Sequence, residues 1–101
     1  MGRYSFVAVG TAGAMANTFG SICHGAGRNL SRNAAKRSLA GVDVAAELKK
    51  RGILVRTPSP SGLAEEASVA YKDVANVVDV CERAGIARKV VRLRPRVVIK
   101  G

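Results

Sequence analysis

The chain has no tryptophan, one histidine, two cysteines and only four aromatic residues, Tyr4, Phe6, Phe19 and Tyr71. Any core it builds is therefore aliphatic. One histidine and two scattered cysteines fall short of the three or four ligands that zinc or manganese requires, so no metal site is expected from this chain alone. Cys23 and Cys81 form no CxxC pair. Two cysteines make no disulfide framework, and reduced, packed thiols are the natural reading. No apolar run approaches the ~18 residues of a membrane span. Nor is there a signal-peptide layout, because only a few apolar residues separate Arg3 from Gly10. These absences point to the cytoplasm and away from a membrane.

Acidic residues are also scarce. Seven Asp and Glu face seventeen Lys and Arg, for a net charge of +10. Such an excess favours a polyanionic partner such as RNA; a passive, solubilising basic surface is the alternative. Two nucleotide motifs are missing. There is no GxxxxGK[ST] loop, and the spaced glycines of "GTAGAMANTFG" do not make a G-x-G-x-x-G fingerprint.

What remains is a foldable sequence. At 101 residues, 48% apolar and 24% charged, it is one domain at most, or a piece of one, and no disordered tail. "SFVAV" reads as a strand closed by Gly10, and its uninterrupted apolar run suits the centre of a sheet. "TAGAMANTFG" reads as a short helix weakened by Gly13. Ser31 is placed to cap "RNAAKRSLA", and Asp43 to cap "VAAELKKRG". "ILVRT" is a second strand, ended by "PSPSG". "LAEEASVAYKD" reads as helical. After Asp73, the spacing of Val74, Val77, Val78 and Cys81 predicts a helix over 74–84 with one buried stripe. The tail "ARKVVRLRPRVVIKG" alternates valines with basic residues and reads as extended until Pro95 interrupts. The fold class is mixed α/β. A short chain that opens almost on a strand and stops at Lys100-Gly101 reads as part of something larger, with an exposed apolar face able to self-associate.

The histidine stands in "FGSICHGAGRNLSR". A solitary histidine is ordinarily a surface residue or a satisfied core residue. Here glycines at 25 and 27 allow backbone N–H groups to turn inward with no Cβ in the way, a nest suited to phosphate oxygens. The helix expected next would add its positive end, and Arg28 a bidentate fork. A neutral imidazole beside a phosphate so held can act as base or nucleophile.

"MGRYSFVAVG", "TFGSICHGAGR", "RGILVR", "GLAEEASVAYKDVANVVDV" and "LRPRVVIKG" together resemble the C-terminal part of the RtcB family of RNA-splicing ligases. The resemblance covers essentially the whole chain, as the final portion of a much longer protein. It implies a GTP-dependent RNA ligase that joins RNA 3′-phosphate or 2′,3′-cyclic phosphate ends to 5′-hydroxyl ends through a histidine–GMP intermediate, in tRNA splicing and RNA repair. It implies that residues 1–101 are the C-terminal nucleotide-binding segment of that fold. His24 matches the guanylylated nucleophile, and Gly25, Ala26 and Gly27 the loop around the nucleotide. Met1 falls at the end of another nucleotide loop. Ser5 and Tyr71 match residues at the base, and Lys100 the penultimate lysine of the guanine pocket.

The same resemblance implies manganese in the intact enzyme, held by Asp, Cys, His and Glu residues upstream of everything in this chain. It implies RNA ends as substrate, the missing N-terminal catalytic portion as partner, in the same chain or a separate one, and an archease-type activating protein. Arg28, Arg32, Arg88, Lys89, Arg92, Arg94 and Arg96 are candidates for RNA backbone contacts. Without the upstream ligands the 101 residues alone are expected to be inactive. The reading from another class is a non-catalytic basic RNA-binding or accessory module derived from the same fold.

Overall fold

The computed structural model describes residues 1–100. They form four strands, β1 (Ser5–Gly10), β2 (Leu54–Arg56), β3 (Ala87–Leu93) and β4 (Val97–Ile99), and five helices. The helices are α1 (Ala12–Thr18), α2 (Arg32–Ser38), α3 (Val44–Lys50), α4 (Pro60–Glu65) and α5 (Val74–Arg83), with a 3-10 turn at Ser68–Ala70. The class is mixed α/β, as expected. None of these helices is long and apolar enough to cross a membrane. The chain divides into two compact units, one of residues 1–3, 28–71 and 94–101 and the other of residues 4–27 and 72–93.

In the first unit, β2 and β4 run parallel, with Leu54 opposite Val97 and Arg56 opposite Ile99. Helices α2, α3 and α4 pack around Ala35, Leu48, Ile53, Leu63, Ala67 and Ala70, all buried. The caps follow from sequence. Ser31 accepts from the Ala34 N–H at 3.1 Å, and Asp43 from the Ala46 N–H at 2.9 Å, each satisfying an otherwise orphaned donor. Gly2 is buried with φ +79, and a Cβ there would lie 2.5 Å from Leu48 Cδ2. Only glycine fits that approach. Its carbonyl also accepts from the Arg51 guanidinium.

The "LAEEASVAYKD" segment departs from the expected single helix. Ser59 caps α4 with Pro60 in its first turn, and Glu66 is its C-terminal cap. Ala67 then turns extended (φ −62, ψ 149) before the 3-10 turn. Proline is well placed at the start of a helix, where its missing N–H would be unpaired in any case. "PSPSG" therefore starts a helix as well as ending a strand. Burial of Ala67 and Ala70, at 7% and 0% exposure, accounts for the break, since the turn drops both small residues into the core.

In the second unit, β1 pairs antiparallel with β3, from Ser5 opposite Leu93 to Gly10 opposite Ala87, with a bulge between Val7 and Ala8. Asp73 caps α5 through the Ala75 N–H at 2.8 Å. Val78 and Cys81 are buried, Val74 and Val77 half-buried, and Val80 is exposed, so the stripe read from the spacing faces inward. The expectation for β1 needs correction. Val7 and Val9 are 44% and 42% exposed, because this sheet has only two strands and each is an edge. One face of the pair carries Val7, Val9, Val91 and Leu93, all exposed.

Candidate functional site

Met1, Tyr71 and Lys100 belong to the first unit; Ser5 and His24–Gly27 belong to the second.

In the second unit the histidine loop follows α1. That helix closes on Phe19, whose backbone is left-handed at φ 53. His24 and Gly25 are exposed bends and Ala26 is half-buried. A Cβ at Gly25 would meet nothing within 4 Å, whereas Gly27 holds φ +72. Nothing in this chain therefore demands glycine at 25, while the backbone itself demands it at 27. The Gly27 carbonyl accepts from the Lys72 N–H at 3.0 Å, fixing the end of the loop. Among the described residues the backbone N–H groups of His24, Gly25 and Ala26 donate to no backbone acceptor. The loop thus presents free donors beside an exposed imidazole. Cys23, just before it, has its thiol pushed up by burial and by the neighbouring Cys81 thiol, which suits packing better than reactivity. Ser5 is exposed on β1.

In the first unit Tyr71 and Lys100 converge on Glu66, which sequence reasoning did not single out. The Tyr71 hydroxyl donates to Glu66 Oε2. Lys100 Nζ lies 3.9 Å from the same oxygen. The Met1 amino group feels Glu66 and Lys100, although burial is the larger influence and lowers its proton affinity. The hydrogen bond from Tyr71, partly offset by burial and then aided by Lys100, Arg28 and Arg32, holds the Glu66 carboxyl below the usual range. The same bond pushes the Tyr71 phenol up. Arg32, Thr57, Gly62, Glu65, Glu66 and Lys100 line a pocket of about 230 Å³. No local spacing marks Glu66, because Arg28 and Lys100 lie far from it along the sequence.

The expected phosphate fork at Arg28 is overturned. Its guanidinium donates from Nε to the Leu30 carbonyl (3.0 Å), from Nη1 to the Tyr71 hydroxyl (2.9 Å) and from Nη2 to the Glu65 carbonyl (2.6 Å). It also pairs with Glu66 at 3.5 Å and lies 4.7 Å over the Tyr71 ring. With its donors engaged, Arg28 is a structural clamp. Lys89 is likewise committed, at 2.5 Å from Asp79 and 3.0 Å from Glu82. Arg92 lies over the Tyr4 ring at 5.0 Å. Arg88, Arg94 and Arg96 are exposed and remain open to an anion. The helix after the histidine loop begins only at Arg32, in the other unit, and is seven residues long.

Among the described residues no three His, Cys, Asp or Glu side chains come together as a metal set. The donors among these residues therefore do not by themselves fit a manganese centre.

All 101 residues match the family described as tRNA-splicing ligase RtcB. The chain is 55% identical over 101 residues to the tRNA-splicing ligase RtcB of Methanopyrus kandleri, and 57% identical to that of Pyrococcus furiosus. Each alignment covers 100% of this chain and 10% of the relative. The chain thus spans about a tenth of the length of the curated relatives it matches. A full-length family match, with identity above one half and no residue left over, makes the chain a member of the tRNA-splicing ligase RtcB family.

Proposed function

We propose that this chain supplies the covalent nucleophile, and part of the GTP and GMP pocket, of a GTP-dependent RNA ligase. The observation that carries the reading is the His24 loop: an exposed imidazole followed by a glycine whose missing Cβ faces open space, with unpaired backbone N–H groups alongside. Backbone donors that no side chain obstructs can hold a phosphate against an attacking nitrogen.

The unprotonated imidazole nitrogen of His24 attacks the α-phosphorus of GTP. An N–P bond forms, the bond to the β-phosphate oxygen breaks, and pyrophosphate leaves. An oxygen of an RNA 3′-phosphate then displaces the imidazole, giving an RNA–GMP anhydride. The 5′-hydroxyl of the second RNA attacks the activated phosphate, loses its proton, and GMP departs. Lys100, Tyr71, Ser5 and Met1 serve the nucleotide. Arg88, Arg94 and Arg96 serve the RNA backbone, positioning it without reading sequence. The setting is tRNA splicing and RNA repair in the cytoplasm. These residues are the C-terminal part of the protein, manganese is held by residues outside them, and an archease-type protein is the activating partner.

Labelled GTP with manganese tests this on the intact ligase that carries the chain and on the 101 residues alone. Acid-labile label at His24 in the intact ligase, absent after His24→Ala and absent from the isolated chain, is the expected result. A persistent adduct in that variant would refute the assignment. RNA binding with no adduct in any form would favour the basic accessory module, which the +10 net charge supports.

A further inference from the structure

We infer that Glu66 is a positioning residue, the single carboxylate that sets both Tyr71 and Lys100 in place for the nucleotide. The inference rests on reading those two side chains as nucleotide contacts. Each oxygen of Glu66 has its own task. Oε2 accepts the Tyr71 hydroxyl and faces Lys100, while Oε1 faces Arg28 at 3.5 Å and Arg32 at 4.0 Å. Its side chain is 22% exposed, so these charges act through a partly desolvated setting.

Tyr71 is held from two sides. Its hydroxyl donates to Glu66 and accepts from Arg28, and the guanidinium also covers the ring. That arrangement fixes the direction of the phenol as well as its place. Lys100 is held differently. Its backbone N–H donates to the Arg56 carbonyl at 2.9 Å, which anchors the main chain, while only charge draws the ammonium to Glu66. At 3.9 Å the pair is too long for a hydrogen bond. Lys100 therefore keeps its N–H donors for an acceptor on a ligand, such as a purine carbonyl. Removing the charge of Glu66 would take away the acid that draws that ammonium, in a pocket shared with Arg32, whose own charge is partly met by Glu65 at 3.7 Å, and the placement of Lys100 would loosen.

The test compares Glu66→Gln, Glu66→Asp, Lys100→Met and the double variant Glu66→Gln/Lys100→Met in the intact ligase, reading GTP-dependent guanylylation and thermal stability. Glutamine preserves size and an acceptor for Tyr71 but removes the charge. We expect Glu66→Gln to raise KM for GTP by roughly 1.5- to 5-fold, the span of one partly exposed charge pair, with kcat nearly unchanged. Aspartate should recover part of the loss, and the double variant should be no worse than Lys100→Met, since both act through one ammonium. If Lys100→Met raises KM and Glu66→Gln does not, the inference is wrong while the reading of Lys100 stands. Additive effects in the double variant, or a loss of stability with KM unmoved, also overturn it. If Lys100→Met itself leaves KM unchanged, the nucleotide reading of Lys100 fails and takes the inference with it.

Discussion

At the scale of the residue, the scarce side chains carry the argument. His24 is marked by its glycines, and the structure leaves the residue exposed, with adjoining N–H groups that donate to no backbone acceptor among the described residues. Glu66 went unmarked because its importance lies in partners distant in sequence, Arg28 and Lys100, that no local spacing reveals. Its hydrogen bond with Tyr71 has a consequence for stability at both ends of the pH scale. The Glu66 carboxyl is lowered in the folded state, chiefly by that bond. The stabilisation it brings is present above the unfolded value of about 4.3 and is lost as pH falls through the lower, folded value. The Tyr71 phenol is raised by the same bond. Its contribution is complete below about pH 10 and is lost as pH rises through the higher, folded value. Melting temperatures of the 101-residue chain should therefore decline on both flanks, and Glu66→Ala, which removes the acceptor as well as the charge, should flatten both declines. A variant that flattened only one would show that the two shifts have separate origins.

At the scale of the element, capping and periodicity were legible and edges were not. Ser31, Asp43 and Asp73 each cap the helix expected of them, because an N-cap is written within three residues of the donor it satisfies. The stripe of α5 was legible for the same reason: i, i+3, i+4, i+7 is a local pattern. The break of the 63–73 segment depends on the burial of Ala67 and Ala70, in a turn that packs on α2, and β1 looked like a central strand because apolar runs report burial without saying what provides it. Helix α1 holds a further surprise in its C-cap. Phe19 is left-handed at φ 53 and 98% exposed, so it strains the backbone with no packing to offset the cost within this chain. Phe19→Gly should stabilise the 101-residue chain by about 1 kcal/mol, measured by denaturant unfolding. A loss of stability would mean that the ring is covered in solution.

At the scale of the whole molecule, both sheets are two-stranded, and sheets of that size are marginal in water. The β2–β4 pair is parallel, an arrangement usually buried on both faces, yet Leu54, Val97 and Ile99 are 51%, 54% and 79% exposed. On the other sheet the open face carries Val7, Val9, Val91 and Leu93. Because the relatives are about ten times longer, the polypeptide beyond these residues is what we expect to cover them in the full protein. The 101 residues alone should self-associate through the uncovered valines. Sedimentation velocity should show a concentration-dependent assembly that Val7→Lys with Val91→Lys reduces; association unchanged by that pair would place the contact elsewhere.

The register of β1 on β3 also sets a clock. Gly10 is synthesised 77 residues before its partner Ala87. At ~5–20 residues per second the first strand waits roughly 4 to 15 s for the one that pairs with it. No local contact can shorten that interval, since ordering of the ladder is governed by the separation of its partners along the chain. Until then Val7 and Val9 lack β3, the strand they pair with in the folded chain.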